Sequence, residues 1–257
     1  MKKKVKIIII VLIVLIIIYI YTFKLCIFKK HERFSDTSPK FFHELSSFSH
    51  LDKRFGKPNL KIKHIQNSLI NVLMNFMLYC KINDIKPILM YGGLIGYYFN
   101  QELLPWDDDI DMILTEPYIS RLKNYDSDDW LIEINPNSSN YSKSDLDNIV
   151  SARVISKETG AFIDIVFHTE IDNMLHCKDG NVYDKDDIYP LQESKFYDID
   201  IYVPNKIESC LIQRYGDKVL LPKYKDWEFN SKYKVWLQDD IEEVDFSSLD
   251  KKCKYQI

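Results

Sequence analysis

Four carboxylates in five positions, Asp107, Asp108, Asp109 and Asp111, lead directly into the apolar stretch Ile110 to Leu114. An ordinary solvated acidic loop does not continue this way, because apolar residues gain by burial and carboxylates lose by it. If Ile110 and Met112 point one way on a strand, the period of two sends Asp109 and Asp111 together to the other face. Two carboxylates held side by side repel, and a hard divalent cation with oxygen ligands, carrying substrate phosphates, is the usual resolution. The glycine-rich segment Tyr91-Gly92-Gly93-Leu94-Ile95-Gly96 precedes this run, and such segments let a backbone approach a phosphate closely.

Hydrophobic patterning orders the elements around this feature. Ile65, Leu69, Val72, Leu73, Phe76 and Met77 recur at helical spacing, which predicts an amphipathic core helix over Lys61 to Ile82. A short buried strand is expected over Pro87 to Tyr91, ending at a Gly92-Gly93 turn, with a helix opening over Leu94 to Asn100 whose N-terminal amides face an anion. Further on, the patterning predicts a short helix over Tyr118 to Tyr125, strands over Trp130 to Ile134, Val150 to Ile155 and Phe162 to Phe167, and a helix over Lys206 to Tyr215. Asn135 to Asp147, rich in Asn, Ser and Asp, reads as a loop. Asp164 lies in the last of these strands with Ile163 and Ile165 on the opposite face. It shares a face with Asp109 and Asp111 if the strands are neighbours.

The N-terminus carries a second constraint. Ile7 to Phe23 is apolar apart from Tyr19, Tyr21 and Thr22, and about 20 residues at about 1.5 Å each cover a bilayer core of about 30 Å. No Ala-x-Ala-like cleavage site follows it, so an uncleaved anchor is favoured over a signal peptide. Lysines on both sides, Lys2 to Lys4 and Lys6 against Lys24, Lys29 and Lys30, leave the orientation open. With 34 basic and 38 acidic side chains intermixed and a net charge of -4, the chain has no basic footprint for nucleic acid. The five cysteines, Cys26, Cys80, Cys177, Cys210 and Cys253, are dispersed; the spacing allows buried thiols or at most two disulfides, and gives no zinc-ligand pattern.

Gly92-Gly93-Leu94-Ile95-Gly96 followed by Leu104-Pro105-Trp106-Asp107-Asp108-Asp109-Ile110-Asp111 resembles the signature of the LicD/fukutin family, within the polymerase-β-like nucleotidyltransferase superfamily. Thr159-Gly160-Ala161-Phe162-Ile163-Asp164-Ile165 is similar to the family's later Gly-x-x-x-Asp-Ile strand. Val203-Pro204, Tyr215-Gly216-Asp217, Pro222 and Trp227 resemble its C-terminal block. Two positions depart from the pattern: Gly93 stands where the family commonly has Thr, and Phe99 where it has Arg.

The resemblance implies an α+β fold, a nucleotidyltransferase-like mixed β-sheet flanked by helices, preceded here by the transmembrane helix. The expected organisation is an anchor over 1–28, a juxtamembrane stem over 29–58 that docks on the domain, the domain over 59–230, and a charged, peripheral tail over 231–257. It further implies transfer of a phosphorylated group, such as phosphocholine or ribitol phosphate, from a CDP-linked donor to a glycan acceptor, and in a fungal branch transfer of mannosyl phosphate. Asp107, Asp109, Asp111 and Asp164 are the expected ligands of Mg²⁺ or Mn²⁺. Asp109, Asp111 and Asp164 are the expected catalytic residues, Asp164 as a possible general base. Gly92 and Gly93 are expected at the donor phosphates, and Asp108 is expected to point away. A eukaryotic member is expected to be a type II protein with its catalytic domain in the lumen of the Golgi or endoplasmic reticulum. Three other readings stand beside this one: a glycosyltransferase using Asp-x-Asp to hold a nucleotide sugar, a catalytically inactive anchored glycan-binding module, and an enzyme that adds mononucleotides.

Overall fold

In a computed structural model of the protein, residues 50–136, 149–177 and 180–238 are described. The anchor segment, most of the 135–147 loop, Cys26 and Cys253 lie outside them. Among the described residues no helix is long and apolar enough to cross a membrane.

A ten-stranded mixed sheet with flanking helices forms the body, bearing out the expected α+β class. Its main path is built from β1 (Ile88–Met90), β2 (Ile110–Thr115), β3 (Tyr125–Asp126), β4 (Trp130–Ile134), β5 (Ala152–Ser156), β6 (Phe162–Ile171), β9 (Gln192–Phe196) and β10 (Ile199–Val203), in the order β3-β4-β5-β6-β2-β1-β10-β9. The strands β7 (Met174–Cys177) and β8 (Val182–Asp184) extend it beyond the end of β6. At the centre, β2 and β6 run parallel, with β5 antiparallel to β6 and β1 antiparallel to β2. Ile110, Met112, Ile113 and Leu114 are all fully buried, so β2 is covered on both faces. Continuous apolar runs of this kind mark a strand with helices or other chain on either side.

The predicted core helix is α1 (Ile62–Ile82), and Ile65, Leu69, Val72, Leu73, Phe76 and Met77 form its buried stripe. It packs across β5, β6 and β10, and Ser68 on it shares a chain of hydroxyl hydrogen bonds with Ser156 and Thr159. The second helix, α2 (Tyr91–Asn100), starts three residues before the expected Leu94. Gly92 and Gly93 therefore occupy its first turn and do not form a separate loop. Space, more than flexibility, explains the second glycine: a Cβ on Gly93 lies 2.7 Å from Leu89 Cδ1. The Tyr118 to Tyr125 helix is reduced to a single 3₁₀ turn at Ile119–Arg121, followed by β3. The short α3 (Lys185–Ile188) and α4 (Ile207–Tyr215) complete the helices, the latter one residue from its predicted start.

The stretch after Trp227 departs from the expected peripheral tail. β11 (Lys223–Tyr224), β12 (Trp227–Asn230) and β13 (Val235–Gln238) pair antiparallel into a small second sheet. Trp236 is buried in it, because it packs against Phe99, Trp106 and Phe229. Residues 239–257 of the tail lie outside the described region.

The first described residues, which fall at the end of the expected stem, dock on the domain. Leu51 and Asp52 are fully buried, and the Asp52 amide donates to the Gly160 carbonyl at 2.7 Å. Gly160 is at φ +79, and a Cβ there meets the Gly56 amide nitrogen at 2.7 Å, so this contact requires glycine. Arg54 locks the docked segment with hydrogen bonds to Asp52 and a fork onto the Glu133 carboxylate at 2.7 and 2.6 Å.

Candidate active site

Pro105 sits at the second position of a turn closed by the Asp107 amide on the Leu104 carbonyl at 3.0 Å, as its fixed φ favours. Gln66 on α1 holds that turn by donating to the carbonyls of Leu104 and Asp107, both at 2.9 Å. Trp106, at the turn's tip, is clasped by the small sheet: it stacks on Tyr224 at 5.0 Å and touches Trp227 and Trp236. The acidic run is thereby anchored at its start by aromatic packing and at its end by the pairing of β2.

Within this frame the four predicted carboxylates converge. Asp111 and Asp164 are register partners on β2 and β6. Asp107 lies against Gly92, where a Cβ would fall 3.1 Å from the Asp107 Oδ2; a side chain at 92 displaces the carboxylate. The segment from Met90 reaches Gly92 through Tyr91, held at φ +54, a strained conformation for a bulky residue. Its hydroxyl contacts the Cys177 sulfur at 3.4 Å, fixing the ring.

Electrostatics report the crowding. Burial, then the charges of Asp109 and Asp108, push the Asp107 carboxyl up to about 7. Burial and the charges of Asp109, Asp164 and Asp107 raise Asp111 well above the ordinary carboxylate range. Asp107 Oδ2 is buried with no hydrogen-bond partner among the described residues. An orphaned acceptor beside repelling carboxylates is the environment that a bound divalent cation relieves, so the residues present fit such an ion.

Three groups that sequence reasoning did not assign lie against these carboxylates. Arg153 on β5 donates to both oxygens of Asp164 at 2.6 and 2.8 Å, and the pair is buried. Burial raises the Asp164 carboxyl while Arg153 opposes the rise. The available signal was a lone arginine in an otherwise apolar strand. His50, from the docked stem, has its Nδ1 3.1 Å from Asp109 Oδ2 and 3.6 Å from Asp108 Oδ1. Asp108 therefore turns toward His50 and not away as expected; nothing in the residues around His50 marks it. Hydrogen bonding to Asp108, then Asp109, lifts the imidazole to about 10. Tyr215, at the end of α4, is the third: burial first, then the Asp111 charge, raises its hydroxyl to about 12. Beside it the exposed Arg214 guanidinium lies 5.5 Å from the Tyr91 ring and pairs with no carboxylate among the described residues. Phe99 serves the aromatic cluster, 5.0 Å from Trp236 and 5.1 Å from Phe229, so an arginine at that position has no place here.

The mixed sheet thus presents paired carboxylates from neighbouring strands beside the glycines in the first turn of α2. Residues 84–206 match the family LicD/FKTN/FKRP, nucleotidyltransferase domain, so this part of the chain is similar to that family. The chain is also similar to mannosyltransferase regulator 4 of Saccharomyces cerevisiae, 29% identical over 157 residues. That similarity takes in 50% of this chain but only 13% of the yeast protein.

Proposed function

We propose that this chain is a membrane-anchored, metal-dependent transferase that moves a phosphorylated group from a nucleotide-diphosphate donor, CDP-linked in the first instance, to a glycan acceptor. The observation that carries the reading is the convergence of Asp107, Asp109, Asp111 and Asp164 at one end of β2 and β6.

Asp109, Asp111 and Asp164, with Asp107, would hold Mg²⁺ or Mn²⁺, which when bound neutralises a diphosphate and the charge developing on a departing nucleoside monophosphate. Asp111 serves only ligation, since its crowded carboxylate is too closely surrounded by like charge to be left alone. Arg153 keeps Asp164 oriented by its two-pronged hydrogen bond and offsets the cost of burying that charge. Asp164 can then accept a proton from an acceptor hydroxyl that approaches its edge. Gly92 leaves the space that the Asp107 carboxylate occupies. Arg214, at the rim beside Tyr91 and Tyr215, supplies a cation for a non-bridging phosphate oxygen, the role that Phe99 has vacated. The apolar N-terminal run anchors the domain, in a type II orientation toward a secretory lumen where glycan acceptors reside.

Incubation of the purified chain with CDP-choline, CDP-ribitol, CDP-glycerol and GDP-mannose, reading metal-dependent release of nucleoside monophosphate, tests this. Release from one donor, with phosphate retained in the glycan product, supports the reading. Transfer of a sugar without phosphate would replace it with the glycosyltransferase. A second reading, an anchored regulatory module, is favoured by the similarity to a yeast mannosyltransferase regulator and by the firm engagement of Asp164 with Arg153. Binding of a glycan without turnover of any donor would support that alternative.

A further inference from the structure

We propose that His50, Asp108 and Asp109 form a second cation site, one that includes an imidazole and takes a Zn²⁺-class transition-metal dication in preference to Mg²⁺. Two of its three members, His50 and Asp108, have no part in the transfer reading, and His50 lies outside residues 84–206 that define the family domain.

Geometry supports it first. One ligand atom from each of the three side chains lies within 4.8 Å of the others. His50 Nδ1 is 3.1 Å from Asp109 Oδ2 and 3.6 Å from Asp108 Oδ1. Ligands about 2.1 Å from one ion stand about 3.0 Å apart at a right angle and about 3.4 Å apart at the tetrahedral angle, so both separations suit a shared ion. The imidazole is also placed in advance. Leu51 and Asp52, its chain neighbours, are fully buried, the Asp52 amide is bonded to Gly160, and the His50 ring stands edge-on to Phe162 with centroids 4.9 Å apart.

Ligand chemistry sets the preference. Mg²⁺ demands oxygen ligands and sheds water reluctantly, whereas a ring nitrogen with two carboxylates suits Zn²⁺ and its neighbours in the transition series. Half-exposed side chains leave an entry path: His50, Asp108 and Asp109 are 38%, 32% and 24% exposed. Occupancy of this site ties the end of the stem to the acidic run, because the ion bridges a residue of the docked segment and two residues at the head of β2.

The test is Zn²⁺ titration of the full-length protein in detergent with Mg²⁺ in large excess, together with the visible absorption of added Co²⁺. Wild type is expected to retain one Zn²⁺ against Mg²⁺ and to show Co²⁺ bands of a nitrogen-containing site. Both His50→Gln and Asp108→Asn are expected to weaken Zn²⁺ binding by about tenfold or more and to lose or shift the Co²⁺ bands. Stabilisation by Mg²⁺ alone should be unchanged in His50→Gln, which also shows that the variant folds. Zn²⁺ affinity and Co²⁺ spectra equal to wild type in both variants overturn the proposal, as does equal displacement by Mg²⁺ from all three proteins. Because no readout is turnover, the site stands or falls separately from the transfer reaction.

Discussion

Asp111 and Asp164 occupy the same register on the parallel neighbours β2 and β6; burial first, then the charges of Asp109 and Asp164, raises the Asp111 carboxyl, and burial with the Asp109 charge raises Asp164 against the pull of Arg153. Two carboxylates brought together by the innermost strand pairing of a sheet are a cost to the fold unless a cation offsets it.

Replacing Asp111 with Asn removes a ligand and a repulsive charge together. Donor turnover is expected to fall about 100-fold or more, while the metal-free protein gains on the order of 1 kcal/mol at pH 8, or about 2–4 °C in melting temperature. Calorimetry beside a nucleoside monophosphate assay reads both. A variant that loses stability, or one that turns over donor as wild type does, contradicts the assignment.

The raised carboxyls set a pH dependence. For Asp107, about 7 in the fold against an ordinary 3.8, the native state binds the proton more tightly than the unfolded chain. Its contribution to metal-free stability is therefore full below about pH 4 and is lost as pH rises through 7. Asp111, raised for the same reason, acts in the same direction. Metal affinity runs the opposite way and should climb through neutral pH as the ligands ionise. Thermal shift measured from pH 5 to 8 with and without Mn²⁺ checks both slopes.

Arg153 is expected to be essential to folding through Asp164. Arg153→Ala leaves a buried carboxylate without a partner and should cost about 3–5 kcal/mol. The double replacement Arg153→Met with Asp164→Leu is expected to recover most of that stability and none of the activity. Failure of the double variant to recover stability relative to Arg153→Ala would mean the pair is not the source of the loss.

Gly160→Ala is expected to release the stem. Its φ of +79 and the 2.7 Å approach of the Gly56 nitrogen leave no room for a methyl group, at a cost of about 1–3 kcal/mol. Hydrogen exchange at the Asp52 amide, which is bonded to Gly160, should rise sharply. Unchanged protection there would show that the docked segment does not depend on this turn.

Much of the site was legible in the sequence because strand periodicity and like-charge repulsion act locally. The alternation around Asp111 and around Asp164 places each on a definite face, and only the pairing of β2 with β6 had to be supplied. The burial stripe of α1 was likewise legible, since six apolar residues at helical spacing leave one packing face. What escaped was set by distant chain. His50 matters because Leu51 and Asp52 find cover against Gly160, a contact no local pattern announces. The small sheet around Trp236 was hidden by its charged neighbours, although Trp227-Glu228-Phe229-Asn230 alternates as a half-buried strand does. Gly92 reads as a turn residue until Asp107 is seen resting against it.

Trp106→Ala tests the aromatic anchor. Loss of contacts to Tyr224, Trp227 and Trp236 is expected to loosen the 223–238 sheet, visible as reduced near-ultraviolet circular dichroism. The affinity for metal should fall as the Asp107 turn loses its hold. An unchanged spectrum and affinity would assign Trp106 no role in positioning the acidic run.

The most direct measurement is Mn²⁺ binding followed by electron paramagnetic resonance, with and without CDP, in wild type and in Asp111→Asn. CDP is expected to tighten Mn²⁺ binding to wild type, Mn²⁺ to tighten CDP binding by the same factor, and Asp111→Asn to abolish this mutual effect. Equal Mn²⁺ affinity in the two proteins, or binding indifferent to CDP, would contradict it.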